Sequence, residues 1–530
     1  MLVAFVLLFV TCYLFYNLFL VKSSKPKWLG EQEINTSASF STLDMLLGRK
    51  TVVDKDHHIY NSMGTKTFCV VDESPSPIIL LKDLDLIKKA FIKDFDYFTD
   101  RRDFFTVSEK ISFKQTSWHA ERRGVEKCAT NCQSYFYHRE NKRMMVHFNG
   151  VGQQWVKMLA EKARDSPTGS AKIDVLSTVN QYTLEVIGNS VFGMRTGTIQ
   201  DPNSIFAQKA GRIANMDRIT DIIKLNLSPR YPQIFKMLGI EVFDKDAVQF
   251  FNDILRQSLE ARLRGDVKQN DFQQLLIEAR KGELKALGSD DLDSFEKEAE
   301  IRDNNSNTKL SDKSKILTDE VIIAQGVVFF LAGFTAVSNF ISFAAYSLAL
   351  HQDIQDKLRE EVGRVVKEDG TLDYDDLAQL TYLDMVANEV LRKFPGAARL
   401  DRVCMKDYRD PETGLFVPKN TAVVIPVHAI HNDKRYYENP EKFDPEHFTP
   451  EKKAERSPYS YLPFGQGPRN CIGKRFAIIE SQAAIANLVH NFRIDPTEKT
   501  PVPLQARFIG AQTFLPMNLE LMLTPLRKQM

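Results

Sequence analysis

One stretch constrains this chain more than any other: Phe464-Gly465-Gln466-Gly467-Pro468-Arg469-Asn470-Cys471-Ile472-Gly473-Lys474-Arg475. An extended run, Tyr459 to Pro463, precedes it, and a helical pattern from Arg475 to Phe492 follows. It reads as a glycine-rich loop that presents one cysteine at a helix N-terminus. The first N–H groups of a helix lack partners within it and the dipole is positive there. The N–H groups of Ile472 and Gly473 are thus placed to donate to sulfur, and a thiolate is favoured. Gly467 and Gly473 allow the backbone to bend and a flat ligand to approach. Arg469 stands two residues before the sulfur, beside any anion bound there. Two other readings stay open on these residues alone. A lone cysteine in an intracellular chain is usually a buried structural one. A dinucleotide loop would use Gly465 and Gly467, although Asn470 stands where a third glycine belongs.

The full pattern, Phe-x-x-Gly-x-Arg-x-Cys-x-Gly, resembles the heme-binding loop of the heme-thiolate monooxygenases, the cytochrome P-450 superfamily. Phe464, Gly467, Arg469, Cys471 and Gly473 all fall at the required spacing. The resemblance implies a mainly α fold with small β-sheets (α+β), a single large domain with a long central helix over heme. It implies that Cys471 is the axial ligand of the iron of heme b, a thiolate that pushes electron density toward iron and favours O–O cleavage. The implied reaction inserts one oxygen atom from O₂ into an apolar small molecule, a xenobiotic or an endogenous lipid or steroid. Electrons would come from NADPH through NADPH-cytochrome reductase, with cytochrome b5 as a further partner. The sequence looks closest to microsomal members from animals, especially insects.

Composition agrees with a large intracellular body. The chain has 530 residues and 43% hydrophobic content, enough for a sizeable core. A net charge of +1 gives no argument for nucleic-acid binding, and six cysteines form no disulfide framework. Residues Leu2 to Val21 are almost continuously apolar, about the 20 needed to span a bilayer. Lys22, Lys25 and Lys27 follow with no small-residue cleavage site, so the run reads as an uncleaved anchor with the body in the cytosol, on the endoplasmic reticulum membrane. The expected division is an anchor over 1–21, a linker over 22–63 and a catalytic domain over 64–530.

Gly64 to Leu81 predicts a small sheet, followed by a helix from Asp83 to Lys93. Trp118 and Arg122 lie one helical turn apart, so both can donate to one carboxylate. In the family this pair holds a heme propionate, and Arg402 and Arg469 fall at further propionate positions. An apparent insertion follows at 125–133. Its Cys128 and Cys132 fit no zinc-finger spacing. Helices are expected from Asp174 to Phe192, ending at Gly193, then from Phe250 to Arg264 and from Phe272 to Ala279. Residues 283–315 are polar and acidic, a solvated loop.

Thr318 reads as the N-cap of a long helix to Leu350, apolar nearly all round and therefore buried. Within it, Ala332-Gly333-Phe334-Thr335-Ala336 resembles the oxygen-binding groove of the family. Close helix packing at Gly333 is the equal alternative. Glu389 and Arg392, three apart on a helix, would on spacing alone be a surface salt bridge; the resemblance, carried by Tyr382 to Val386 and Lys393 to Pro395, implies a buried structural network whose third member is normally arginine and here is His447. Gly396, Ala397 and Ala398 would leave room for substrate, and Phe508 to Phe514 would form the last substrate-contacting turn.

The chain departs from the family on the helix facing the iron. The usual acid and threonine are Thr335 and Ala336 here. The alcohol is displaced by one residue, about 100° round the helix. Three activities follow: a monooxygenase with protons carried by Thr335, water or substrate; an isomerase or dehydratase acting on an oxidised substrate; or a low-turnover protein that sequesters heme and ligand.

Overall fold

The computed structural model describes residues 34–35, 50–73, 76–102, 138–214, 220–221, 224, 227–228, 231–266, 271–281, 318–504, 506–509 and 513–526. The apolar run at 2–21, Trp118, Arg122, Cys128, Cys132 and the acidic stretch at 283–315 lie outside these residues.

Helix α1 (Val52–Ser62) opens with a capping box in which Thr51 and Asp54 exchange hydrogen bonds. Its Ile59 and Tyr60 are buried in a core cluster shared with the first sheet. Strands β1 (Ile34–Asn35), β2 (Phe68–Val71) and β3 (Ile78–Leu81) form one side of a five-stranded sheet that continues with β8 (Ala422–Ile425) and β5 (Leu400–Val403), in the order β1-β2-β3-β8-β5. Helix α2 (Leu84–Lys88) is capped by Asp83, and then widens into a single π turn, Lys89–Lys93. The turn buries Ala90, Phe91 and Ile92.

Helix α3 (His138–Arg164) precedes strand β4 (Ala171–Asp174). Asp174 caps α4 (Val175–Ile187), accepting the N–H of Ser177 at 2.9 Å. A π turn, Gly188–Phe192, extends α4, and Gly193 ends it with a φ of +63°, a conformation that favours glycine. Helices α5 (Ile205–Ala214), α6 (Lys245–Arg264) and α7 (Phe272–Lys281) then pack on the element that organises the molecule, α8 (Asp319–Leu350). The Thr318 hydroxyl accepts the N–H of Val321 at 3.3 Å, and Asp319 and Glu320 occupy the first turn, where the dipole favours acids. By length and composition α8 is the one helix among the described residues able to cross a membrane, yet it is mostly buried in protein. Its first half joins a phenylalanine-rich cluster with Phe192, Phe206 and Phe251. Its second half builds the main core with α3 and the later helices.

Helix α9 (Thr381–Lys393) leads to β5 (Leu400–Val403), the short hairpin β6 (Tyr408–Arg409) and β7 (Phe416–Val417), and β8 (Ala422–Ile425). Strand β8 runs parallel to β3 and antiparallel to β5, with Arg402 opposite Val423. The short helix α10 (Val427–His431) follows, and α11 (Lys474–Asn491) carries the chain out of the cysteine loop. Strand β12 (Glu520–Pro525) joins β4 and β9 (Phe492–Pro496) in a second sheet. Strands β10 (Ala506–Ile509) and β11 (Thr513–Pro516) form a hairpin where the last substrate-contacting turn was expected.

Candidate active site

The cysteine loop is shaped by Gly465 and Gly467, with φ of +71° and +77°. A Cβ on Gly467 would lie 2.3 Å from the carbonyl oxygen of Phe91, so no side chain fits there. The N–H of Cys471 donates to the carbonyl of Phe464 at 2.8 Å and closes the loop. Gly473 is the N-cap of α11. A Cβ at Gly473 would meet nothing within 4 Å. The surrounding protein therefore does not demand glycine there, but close approach of a flat ligand would.

Cys471 is exposed, although α11 beyond Ile479 is buried. Although part of the residue is accessible, its sulfur is poorly solvated. Burial pushes the thiol up, against the Gly473 N–H and the positive charges of Arg101 and Lys474, which pull it down. Desolvation therefore opposes the pull of the helix N-terminus toward a thiolate. A bound metal cation would reverse the balance.

Beside the loop stand three guanidinium groups. Arg402 and Arg469 are buried and Arg101 is half-buried. Arg101 Nη2 donates to the carbonyl of Arg469 at 2.7 Å. Arg402 Nη1 donates to the carbonyl of Asp401 at 2.7 Å, and its Nε has no partner among the described residues. Burial, then the charges of Arg101 and Arg469, hold Arg402 well below the usual arginine range. The nearby acids are engaged elsewhere. Arg399 pairs with Asp56 and, at 2.8 Å, with Glu73, and Arg102 bonds Glu73 and Asp401 at 2.8 Å each. A dianionic ligand such as a pair of heme propionates suits this cluster. Sequence reasoning singled out Arg402 and Arg469 but not Arg101, whose place beside the Arg469 carbonyl is visible only in the folded structure. Trp118 and Arg122 lie outside the described residues.

Glu389 and Arg392 are fully buried and paired twice at 2.7 Å. Arg392 also donates to the carbonyls of His431, Pro440 and Lys442. The N–H of Asp444 donates to Glu389 at 2.9 Å, and His447 Nδ1 lies 3.3 Å from both carboxylate oxygens. His447 Nε2 lies 2.6 Å from the carbonyl of Glu438. Both ring nitrogens thus face acceptors, so His447 fills the third place in the network by single hydrogen bonds rather than by an arginine fork. His431, which the sequence reading did not single out, joins this network to the cysteine loop. Its Nε2 accepts the N–H of Leu462, and Leu462 in turn accepts the N–H of Gly465 at 3.2 Å.

On α8, Ala332 and Ala336 are exposed one turn apart, Leu331, Gly333 and Thr335 beside them are half-buried, and Phe330, Phe334 and Val337 are buried. The Thr335 hydroxyl donates to the carbonyl of Leu331 at 2.8 Å. Gly333 points the other way. A Cβ there would come 2.7 Å from Cδ1 of Ile187 on α4, so Gly333 admits a neighbouring helix, the packing alternative. Ser338 is fully buried and pairs with Thr183 at 2.6 Å. Ile472, next to the cysteine, packs on the cluster built from α8, which brings helix and loop together. Gly396 is exposed and Ala397 half-buried, whereas Ala398 is buried and accepts the N–H of His428 at 3.0 Å.

Comparison with known proteins gives the same constellation a family. The cytochrome P450 family model matches residues 49–519. Cytochrome P450 9e2 of Blattella germanica is 33% identical over 476 residues, covering 87% of this chain and 86% of the relative. Probable cytochrome P450 6a14 of Drosophila melanogaster is 34% identical over 433 residues, 80% of each chain. Cytochrome P450 3A11 of Mus musculus is 34% identical over 457 residues, covering 85% of this chain and 83% of the relative. Members of this family use thiolate-ligated heme and generally take electrons from NADPH-cytochrome reductase. With the family model spanning nearly the whole described body, the chain belongs to the cytochrome P450 family, the heme-thiolate monooxygenases.

Proposed function

We propose that Cys471 would hold the heme iron of this monooxygenase through its sulfur, and that Arg402, Arg469 and Arg101 would hold the propionates, with Trp118 and Arg122 completing the set. The observation that carries this reading is the joint placement of an exposed sulfur and three mutually repelling guanidinium groups on one loop and its neighbours. Heme supplies oxygen activation, and the thiolate makes O–O cleavage easier. The other roles belong to the chain. Gly467 and Gly473 keep side chains out of the loop. Arg402 and Arg469 orient the ligand by its carboxylates. Gly396 and Ala397, with the exposed face of α8 at Ala332 and Ala336, leave space for an apolar substrate.

Proton supply differs from the family pattern. A hydroxyl has one proton to give, and Thr335 spends it on the carbonyl of Leu331. Its lone pairs remain, so Thr335 accepts from a water and orders it. Ala336, on the exposed face, offers nothing. Protons therefore arrive by water or by a substrate hydroxyl.

The anchor at 1–21 with its lysine flank supports attachment to the endoplasmic reticulum membrane with the body in the cytosol, where a reductase and cytochrome b5 are reached. The reduced carbon-monoxide difference spectrum tests the assignment. A thiolate band is expected, and it is expected to vanish in Cys471→Ala. A band typical of imidazole or neutral thiol ligation in the parent would overturn it. Product formed per NADPH consumed, with and without Ala336→Thr, tests the proton route. Higher coupling in the variant is expected from a protein that lacks this alcohol.

A further inference from the structure

We propose that Phe91 is a positioning residue that holds the Arg402 guanidinium and the cysteine loop at a fixed separation, an inference that rests on the roles given above to Cys471 and Arg402. Two contacts of one residue carry it. The face of the Phe91 ring lies under the Arg402 guanidinium, 4.5 Å from ring centre to Cζ. The Phe91 carbonyl oxygen lies 2.3 Å from where a Cβ of Gly467 would stand. Phe91 is fully buried, so both contacts are dry.

The backbone around Phe91 gives these contacts their stiffness. Phe91 is central in the π turn Lys89–Lys93, a widened geometry that is rare and frequent at functional sites. Ile92 presses on the same point of the loop, with Cγ1 3.2 Å from the Gly467 Cβ position. Ten residues after Phe91 the same segment returns, and Arg101 donates to the carbonyl of Arg469. The segment therefore grips the loop on both sides of Pro468. Arg402 has little else on its ring-facing side. Its Nη1 is held by the Asp401 carbonyl, its Nε has no partner among the described residues, and the Asp401 carboxylate is taken by Arg102. An aromatic face is the support a desolvated cation gains most from, and an aliphatic side chain of similar volume cannot replace it.

The test uses the full-length, heme-loaded protein with Phe91→Leu and Phe91→Met, both close in volume to phenylalanine. Three quantities are read: transfer of heme to excess apomyoglobin, the propionate bending bands in resonance Raman, and the midpoint of thermal unfolding. Both variants are expected to unfold near the parent temperature, to release heme roughly tenfold faster and to shift the propionate bands. In an Arg402→Met background, Phe91→Leu is expected to add nothing. Unchanged release and bands would overturn the proposal. So would equal acceleration with and without Arg402, or loss of the fold in both variants, since Phe91 would then act by packing alone. A parent without the thiolate band would overturn the Cys471 assignment instead. A normal parent band with an unresponsive Phe91→Leu would overturn this inference only.

Discussion

His431 accepts the backbone N–H of Leu462 through Nε2 at 2.8 Å, while its Nδ1 faces the carbonyl of Arg392 at 3.2 Å. The two partners fix a neutral tautomer with the proton on Nδ1. Burial, followed by the charge of Arg392, pushes His431 down to about 3. A histidine with a depressed folded-state value contributes stability that is present above its ordinary value near 6.5 and lost as pH falls toward 3. Denaturant unfolding at pH 7 and pH 5 checks this. His431 should cost the parent about 2 kcal/mol across that interval, and His431→Gln should remove that part of the drop. Equal drops in the two proteins would refute the assignment.

Glu389→Gln removes the charge opposite Arg392 while keeping its shape. Both groups are at 0% exposure, so a guanidinium is left buried against a neutral amide. The expected loss is about 3–5 kcal/mol, measured by urea unfolding. A loss under about 1 kcal/mol would mean that the carbonyls of His431, Pro440 and Lys442 suffice for Arg392.

Glu480 lies on α11 with almost no exposure, and neither carboxylate oxygen has a partner among the described residues. Burial raises it well above the usual carboxylate range, and the titratable group it bears on is Tyr182 of α4. Stability from a neutral acid is complete below the unfolded value and is lost as pH rises above it. Glu480→Gln should therefore be more stable than the parent at pH 7, with the gain gone at pH 4. A gain that persists at pH 4, or a loss at pH 7, would show that the carboxylate is satisfied in its ionised form.

Gly333→Ala should cost about 1–2 kcal/mol, because the new methyl meets Ile187 Cδ1 and overpacking outweighs the gain in helix propensity. Ile187→Val removes that methyl and should restore both stability and turnover. Restored stability without restored turnover would return Gly333 to the ligand-approach role.

How much of this could be read from the chain depended on sequence distance. The cysteine loop is contiguous, so glycines, arginine and cysteine could be read together, and α8 announced itself through Thr318, Asp319 and an apolar run. Glu389 and Arg392 share a helix turn. Arg399 and Asp56 are 343 positions apart, and nothing local marks either as a partner of the other. His431 and Phe91 act through a ring nitrogen, a ring face and a carbonyl. Any histidine or phenylalanine in a buried pattern carries these, so only the packed structure distinguishes them.

The chain of charges from Asp56 through Arg399, Glu73 and Arg102 to Asp401 sets where the protein can be shortened. Asp56 lies on α1, the first helix among the described residues, and Asp401 is the neighbour of Arg402. A truncation made for solubility that starts after Ser62 deletes Asp56 and leaves Arg399 only Glu73 as a carboxylate partner among the described residues, at a site with no exposure through which water could compensate. One that starts before Thr51 keeps the relay and the capping box together. The practical limit for a soluble form is therefore electrostatic, and it falls some dozen residues earlier than the first strand pairing with β3 would suggest.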